Sequence, residues 1–292
     1  MAGPNAFVLE RPTSVDEVAA ILAEYRDEAR IMAGGQSLTP LLTLGLSAPS
    51  AIVSLDRCAD LDRHEPAEGA LHVGAMVTTS AFEGSSVHGF PLLAQASSRV
   101  GSPHVRNFGT VVGNVCHADP GGDLVPALLC HDTEVLLQSS AEVRTVSLDE
   151  FVTGPFATAI SDSEFAVGIR IKCDAGEGWQ HAYRKLVKRA GDLAVAACAV
   201  RLRCDGDTIS EARITVGGAL SRARRLRSVE AALQGATRDD AAAMVLDSRP
   251  VDEVEAELMP DITSPEEYLR MMLPRFIAAT VAEATTSGGL DG

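Results

Sequence analysis

Apolar residues at Val15, Val18, Leu22 and Tyr25 recur at three- and four-residue intervals behind the capping box Ser14-Val15-Asp16-Glu17, which predicts a helix over residues 14–27. The period then shortens. Arg30 to Ala33 and Ala51 to Leu55 read as strands, giving a first unit of alternating helix and strand. Further on, the pattern predicts a strand at Leu71–Thr78, a helix at Pro91–Val100, a glycine-rich stretch from Gly101 to Gly122, and strands at Val135–Gln138 and Phe165–Lys172. Asp174-Ala175-Gly176-Glu177-Gly178 offers little to bury and interrupts both periods, so a domain junction is placed there. Beyond it, Leu193–Arg203 and Thr208–Val216 flank Cys204-Asp205-Gly206-Asp207, a hairpin signal that predicts an antiparallel sheet. Ser264-Pro265-Glu266-Glu267 combines an N-cap, a first-turn proline and a capping-box glutamate. It opens a helix carrying Tyr268, Met271, Met272 and Phe276, which Pro274 is expected to kink or split. The fold expected is α+β, with domains at 1–175 (parts about 1–57 and 58–175) and 176–286, and a frayed tail at 287–292.

Composition narrows the function classes. At 292 residues, two domains of about 150 residues each are expected. The formal net charge of −15 and the 4% aromatic content oppose nucleic acid or an anionic membrane surface as a partner. The N-terminus has no basic segment followed by an apolar run, and no apolar stretch reaches membrane-spanning length, so the chain is expected to be cytoplasmic, without membrane insertion. Cys58, Cys116, Cys130, Cys173, Cys198 and Cys204 are scattered without a C-x-x-C pair; they read as free thiols, unable to hold an iron–sulfur cluster. Seven histidines form no H-E-x-x-H or similar cluster, so no metal site is expected. Gly35-Gln36-Ser37-Leu38-Thr39 fails G-x-S-x-G, which argues against hydrolase chemistry. The basic runs Lys185–Arg189 and Arg222–Arg227 read equally as solvated faces or as a docking patch for a partner subunit.

Two glycine-bearing segments are candidate sites. Ala33-Gly34-Gly35-Gln36-Ser37 follows a predicted strand, where paired glycines would let backbone N–H groups converge on a phosphate; on its own the pair also reads as a tight turn. Gly109-Thr110-Val111-Val112-Gly113-Asn114, continuing through His117 to Gly122-Asp123, packs a hydroxyl, an amide and a carboxylate among glycines, a density suited to an anionic cofactor with sugar hydroxyls. Neither segment matches G-x-G-x-x-G or G-x-x-x-x-G-K-[ST].

With these motifs, and with Gly101–Asn107, Lys185-Leu186, Arg189–Asp192 and Ser264–Tyr268, the chain resembles the FAD-binding medium subunit of the molybdenum hydroxylases, the group that includes carbon monoxide dehydrogenase and xanthine dehydrogenase. The resemblance implies a two-part N-terminal FAD-binding domain of the PCMH, vanillyl-alcohol-oxidase-like type and a C-terminal lid. It places Ala33, Gly34, Gly35, Gln36 and Ser37 at the pyrophosphate, flanked by Met32 and Leu38. Gly109, Thr110, Gly113 and Asn114 fall on a second loop, His117, Gly122 and Asp123 on positions near the ribityl chain, Phe165 and Ala166 near a ring, and Lys185 or its neighbour Arg184 as a cation near the flavin. No side chain is assigned acid–base catalysis, because FAD carries the chemistry. Val112 stands where the family has a second glycine and Leu193 where it often has an aromatic; Gln36 replaces a histidine found in some members, and no covalent flavin bond is expected. The implied function is electron transfer from a [2Fe-2S] small subunit, fed by a molybdopterin-binding large subunit, through FAD to an external acceptor, in a dimer of heterotrimers. A stand-alone FAD-dependent oxidase or reductase and a flavin-deficient scaffold subunit are the alternatives.

Overall fold

The structure, a computed structural model, describes residues 6–84, 89–173 and 178–286. Its first unit runs β1 (Val8–Glu10), α1 (Val15–Tyr25), β2 (Ala29–Met32), α2 (Leu38–Thr43) and β3 (Ala51–Ser54), the strands forming a parallel sheet in the order β1-β3-β2. Ser14 caps α1 by accepting from the Glu17 N–H, while the Glu17 carboxylate reaches back to the Thr13 N–H at 2.7 Å, one residue beyond the partner of a standard capping box. α1 buries Val18, Ala19 and Leu22. In the sheet Met32 stands opposite Ser54, so β2 delivers its last residue and the glycines after it to the sheet's end.

The second unit is β4 (His64–Ala67), β5 (Ala70–Gly74), the helices α3 (Pro91–Ser97), α4 (Pro103–Phe108), α5 (Val111–His117) and α6 (Leu124–Leu129), then β6 (Glu134–Gln138), β7 (Val143–Ser147), α7 (Leu148–Phe151), β8 (Val152–Gly154), β9 (Ala157–Thr158) and β10 (Phe165–Lys172). Its main sheet is antiparallel in the order β4-β5-β10-β6-β7. β4 lies on the edge, where Pro66 costs no ladder bond. The glycine-rich stretch differs from the sequence reading, since it contains α4 and α5 rather than open loops. Ser102 and Thr110 cap these helices by accepting from the N–H groups three residues on, and Pro103 occupies the first helical position of α4.

The third unit pairs β11 (Trp179–Leu186), β12 (Ala196–Asp205), β13 (Thr208–Gly217) and β14 (Arg224–Arg225) antiparallel in chain order. The β12–β13 turn is the expected one, with Gly206 at φ +62°. α8 (Arg227–Leu233), α9 (Ala241–Asp247) and α10 (Glu266–Thr286) cover one face of this sheet. α10 runs through Pro274 unsplit, because Leu269, Leu273, Ile277 and Val281 are spaced to pack on the sheet and outweigh the lost N–H bond. Tyr268 and Met271, singled out in the sequence, point to the exposed side. The sheet's other face supplies Tyr183, Ala197 and Ala199 to the core of the first two units, so a seam joins the parts. Of the expected junction at residues 174–178 only Gly178 is among the described residues, and the tail at 287–292 lies outside them.

Candidate functional site

β2 ends at Met32, and the chain turns through Gly34 and Gly35, the latter at φ +69°, into α2. Gly34 lies so close to the second segment that a Cβ there would stand 1.8 Å from the Phe108 carbonyl oxygen. Gly109 faces Gln36, whose Cγ is 3.5 Å from the position of an added Cβ, and Gly113 faces the Ala33 methyl at 3.9 Å. The structure therefore brings Ala33, Gly34, Gln36, Gly109 and Gly113 into one cradle. Among the described residues, the N–H groups of Gly34, Gly35, Gln36 and Ser37 donate to no backbone oxygen. The strip from Ile31 to Leu38 is half-buried throughout. Four successive N–H groups with open donor capacity, unshielded by side chains at the two glycines, are what an anion nest requires. Gln36 steadies the turn by donating from Nε2 to the Gly34 oxygen at 3.2 Å.

On the facing wall Thr110 is spent on the cap of α5: its Oγ1 accepts from the Gly113 N–H at 3.0 Å. Val112 sits inside this helix with its side chain in the core, so the position tolerates a β-branched residue in ordinary helical backbone. Asn114 differs from Thr110. Its Oδ1 is buried without a hydrogen-bond partner, and a Cβ on Gly122 would stand 3.5 Å from it. A buried amide oxygen left unpaired costs about 1–3 kcal/mol, a cost that a donor on a bound molecule would remove. His117, in the last turn of α5, rests its ring 5.2 Å from that of Phe156, with Nε2 3.9 Å from Asp119.

Asp123 is occupied. Its Oδ1 accepts from the Tyr183 hydroxyl at 2.7 Å and its Oδ2 from Lys185 Nζ at 2.8 Å, while Lys185 also donates to the Arg99 oxygen at 3.2 Å. Burial pushes the Asp123 carboxyl up, with Lys185 and Tyr183 pulling against it, and burial together with Asp123 drives the Tyr183 phenol well above its usual range. Alternation along β11 puts Tyr183 and Lys185 on the seam face and Arg184 on the other, over the Phe276 ring and 3.8 Å from Glu283. Sequence reading missed Tyr183, although its two-residue spacing from Lys185 on a strand was the available signal. Phe165 and Ala166 begin β10; both are buried, and the strand packs against α5.

Comparison with known proteins decides the family. A model described as the FAD binding domain in molybdopterin dehydrogenase matches residues 5–171, and one described as the CO dehydrogenase flavoprotein C-terminal domain matches 181–284. The carbon monoxide dehydrogenase medium chain of Hydrogenophaga pseudoflava is 33% identical over 73% of this chain and 75% of its own length. The chain belongs to the FAD-binding medium subunits of the molybdenum hydroxylases. It is also similar to the 6-hydroxypseudooxynicotine dehydrogenase complex subunit alpha of Paenarthrobacter nicotinovorans, 30% identical over 96% of this chain and 95% of that one. A solved structure of Hydrogenophaga pseudoflava carbon monoxide dehydrogenase superimposes with a TM-score of 0.89 at 29% identity, over 97% of this chain and 98% of that one. The cradle of this medium subunit fits the cofactor: open N–H donors suit a pyrophosphate, and the orphaned Asn114 oxygen suits a hydroxyl or ring N–H. Among the described residues no group of three or more His, Cys, Asp or Glu could hold a metal ion, and no helix is long and apolar enough to cross a membrane.

Proposed function

We propose that this medium subunit holds FAD with the N–H row of Gly34 to Ser37 on the pyrophosphate, flanked by Met32, Ala33 and Leu38. Gly109, Thr110, Gly113 and Asn114 close the facing wall, with His117 and Gly122 toward the ribityl side and Phe165 and Ala166 as a rigid strand behind α5. When bound, FAD supplies reversible two-electron chemistry and a step between one- and two-electron carriers. The chain's own residues bind and orient it. Asp123, Lys185 and Tyr183 fix Gly122 against the part contributed by residues 176–286, which closes over the part contributed by residues 1–175. Electrons enter from a [2Fe-2S] small subunit, itself reduced by a molybdopterin-binding large subunit, and leave to an external acceptor. The assembly is a cytoplasmic dimer of heterotrimers. Support for partners comes from the relatives' names, medium chain and complex subunit.

The observation that carries this reading is the row of open N–H groups against the Gly34–Phe108 contact. Its test is purification of the chain alone and with its neighbours. A yellow protein releasing about one FAD per chain on denaturation, and inactive without cluster-bearing and molybdopterin-bearing partners, is expected. A colourless protein that takes up no added FAD overturns it; substrate turnover by the single chain would instead make it a stand-alone oxidase or reductase.

A further inference from the structure

Just past the end of α6, three consecutive residues form a clasp between the second unit and the third. The Cys130 carbonyl accepts from Arg201 Nη1 at 3.0 Å and from Arg213 Nη1 at 3.3 Å, and the Cys130 thiol lies 3.2 Å from Thr215 Oγ1. Asp132, at φ +48°, turns its carboxylate to Arg213 at 2.8 Å and to Arg225 at 3.0 Å. Both neighbours of His131 are therefore bound to β12, β13 or β14. His131 itself is 2% exposed, neither of its ring nitrogens has a hydrogen-bond partner, and its ring meets that of Phe90 edge to face, 5.0 Å between centres. A neutral imidazole carries one donor and one acceptor, and both are buried here unspent.

The groups that face this ring decide its charge. Arg201 from β12, Arg213 from β13 and His181 from β11 all oppose a further positive charge, and Phe90, at the start of α3, is apolar. Burial first, then the two guanidinium groups and His181, hold the imidazole well below the usual histidine range. Trp179 lies under both guanidinium groups, 4.3 Å from that of Arg201 and 5.3 Å from that of Arg213, which keeps them in place. The carboxylate beside the ring in sequence, Asp132, is engaged by Arg213 and Arg225. The unspent nitrogens thus look onto cations and an aromatic ring, and they gain a proton once water enters.

We propose that His131 makes the clasp acid-sensitive: the third unit loosens from the second as pH falls, because opening lets this imidazole take up a proton. The device depends on the clasp alone, with the cradle empty or full. Above the ordinary histidine pKa of about 6.5 the clasp has its full strength. Below it each opening takes up one proton, so the opening equilibrium rises about tenfold per pH unit until the closed form protonates as well. Asp123, whose carboxyl burial pushes up, acts in the opposite sense, since it keeps a proton more readily closed than open.

Cys130 reports the opening, because its thiol is buried in the clasp. Cys198 is the control, buried on the opposite face of β12 beside Thr280 of α10. The full chain is treated with a dithiodipyridine reagent between about pH 7 and about pH 5, each labelled cysteine is located by peptide mass, and each rate is divided by that of free cysteine at the same pH. Cys130 labelling should rise about tenfold per pH unit below about pH 6.5, with Cys198 slower by at least about tenfold, as a local opening requires. His131→Leu, close in volume and unable to take a proton, should abolish the rise, and His181→Leu should leave it. If His131→Leu does not fold, His131→Asn serves the same purpose. A flat Cys130 profile in the wild-type chain, an undiminished slope in the His131 variants, loss of the slope in His181→Leu, or Cys130 and Cys198 rising in step would each overturn the proposal.

Discussion

Two neighbourhoods that meet along one stretch of chain, Gly109 to Asp123, are built on opposite terms. In the cradle, polar groups are left open: four N–H groups from Gly34 to Ser37 donate to no backbone oxygen, and Asn114 Oδ1 is buried without a partner. At the seam, each oxygen of Asp123 already accepts a donor, and Lys185 divides its ammonium between that carboxylate and the Arg99 carbonyl. Both sets contain residue types that suit a flavin site. Only the first holds a buried polar atom with no partner at all and a row of N–H groups with no backbone acceptor, whereas the charged groups of the second are already paired with each other. The lesson is that a ligand site is distinguished from a structural joint less by which polar residues it contains than by whether they are already satisfied.

Breaking the seam should produce the largest change in stability. Lys185→Met leaves a carboxylate buried without its cation, which costs about 3–5 kcal/mol; denaturant unfolding of the loaded chain should show that loss, while FAD at saturating concentration still binds. Tyr183→Phe removes one neutral donor and should cost about 1 kcal/mol. If Lys185→Met left stability intact and abolished FAD binding, Lys185 would belong to the cradle and the contrast would collapse. The cradle breaks differently. Gly34→Val puts a Cβ 1.8 Å from the Phe108 oxygen and must push the two segments apart, so FAD affinity should fall at least about a hundredfold, near 3 kcal/mol. Full FAD occupancy in that variant, measured by equilibrium titration, would refute the close approach as a requirement.

The sequence exposed what is local and concealed what is distant. α1 and the β12–β13 hairpin were legible because a capping box and an Asp-Gly turn act within a few residues. α4 and α5 were not, since glycine density outweighed two caps, Ser102 and Thr110, that in the structure decide the matter. In the same way Tyr268, Met271 and Phe276 drew attention on α10, whereas the buried stripe is Leu269, Leu273, Ile277 and Val281, a choice set by the sheet beneath. The glycines of the cradle could be found by motif, and their contact with Phe108 could not, because about 75 residues of chain lie between the facing segments. Asp123 and Lys185 were both picked out, but their pairing with each other required the fold.

The smallest effect is also the sharpest probe of open capacity. Asn114 lies one residue past Gly113, half-buried in α5, with an oxygen that finds no partner in the protein. In the protein alone, Asn114→Ala removes an unsatisfied acceptor, so stability should hold or rise by up to about 1 kcal/mol. In the loaded protein the same change removes an acceptor from the cofactor, and FAD affinity should fall about tenfold. Opposite signs for the apo stability and the cofactor affinity, measured by thermal unfolding and by flavin titration on the same preparation, are what a binding residue gives. A seam residue loses stability in the protein alone and keeps FAD, so a loss of apo stability in Asn114→Ala with cofactor affinity unchanged would move it out of the cradle and into the joint.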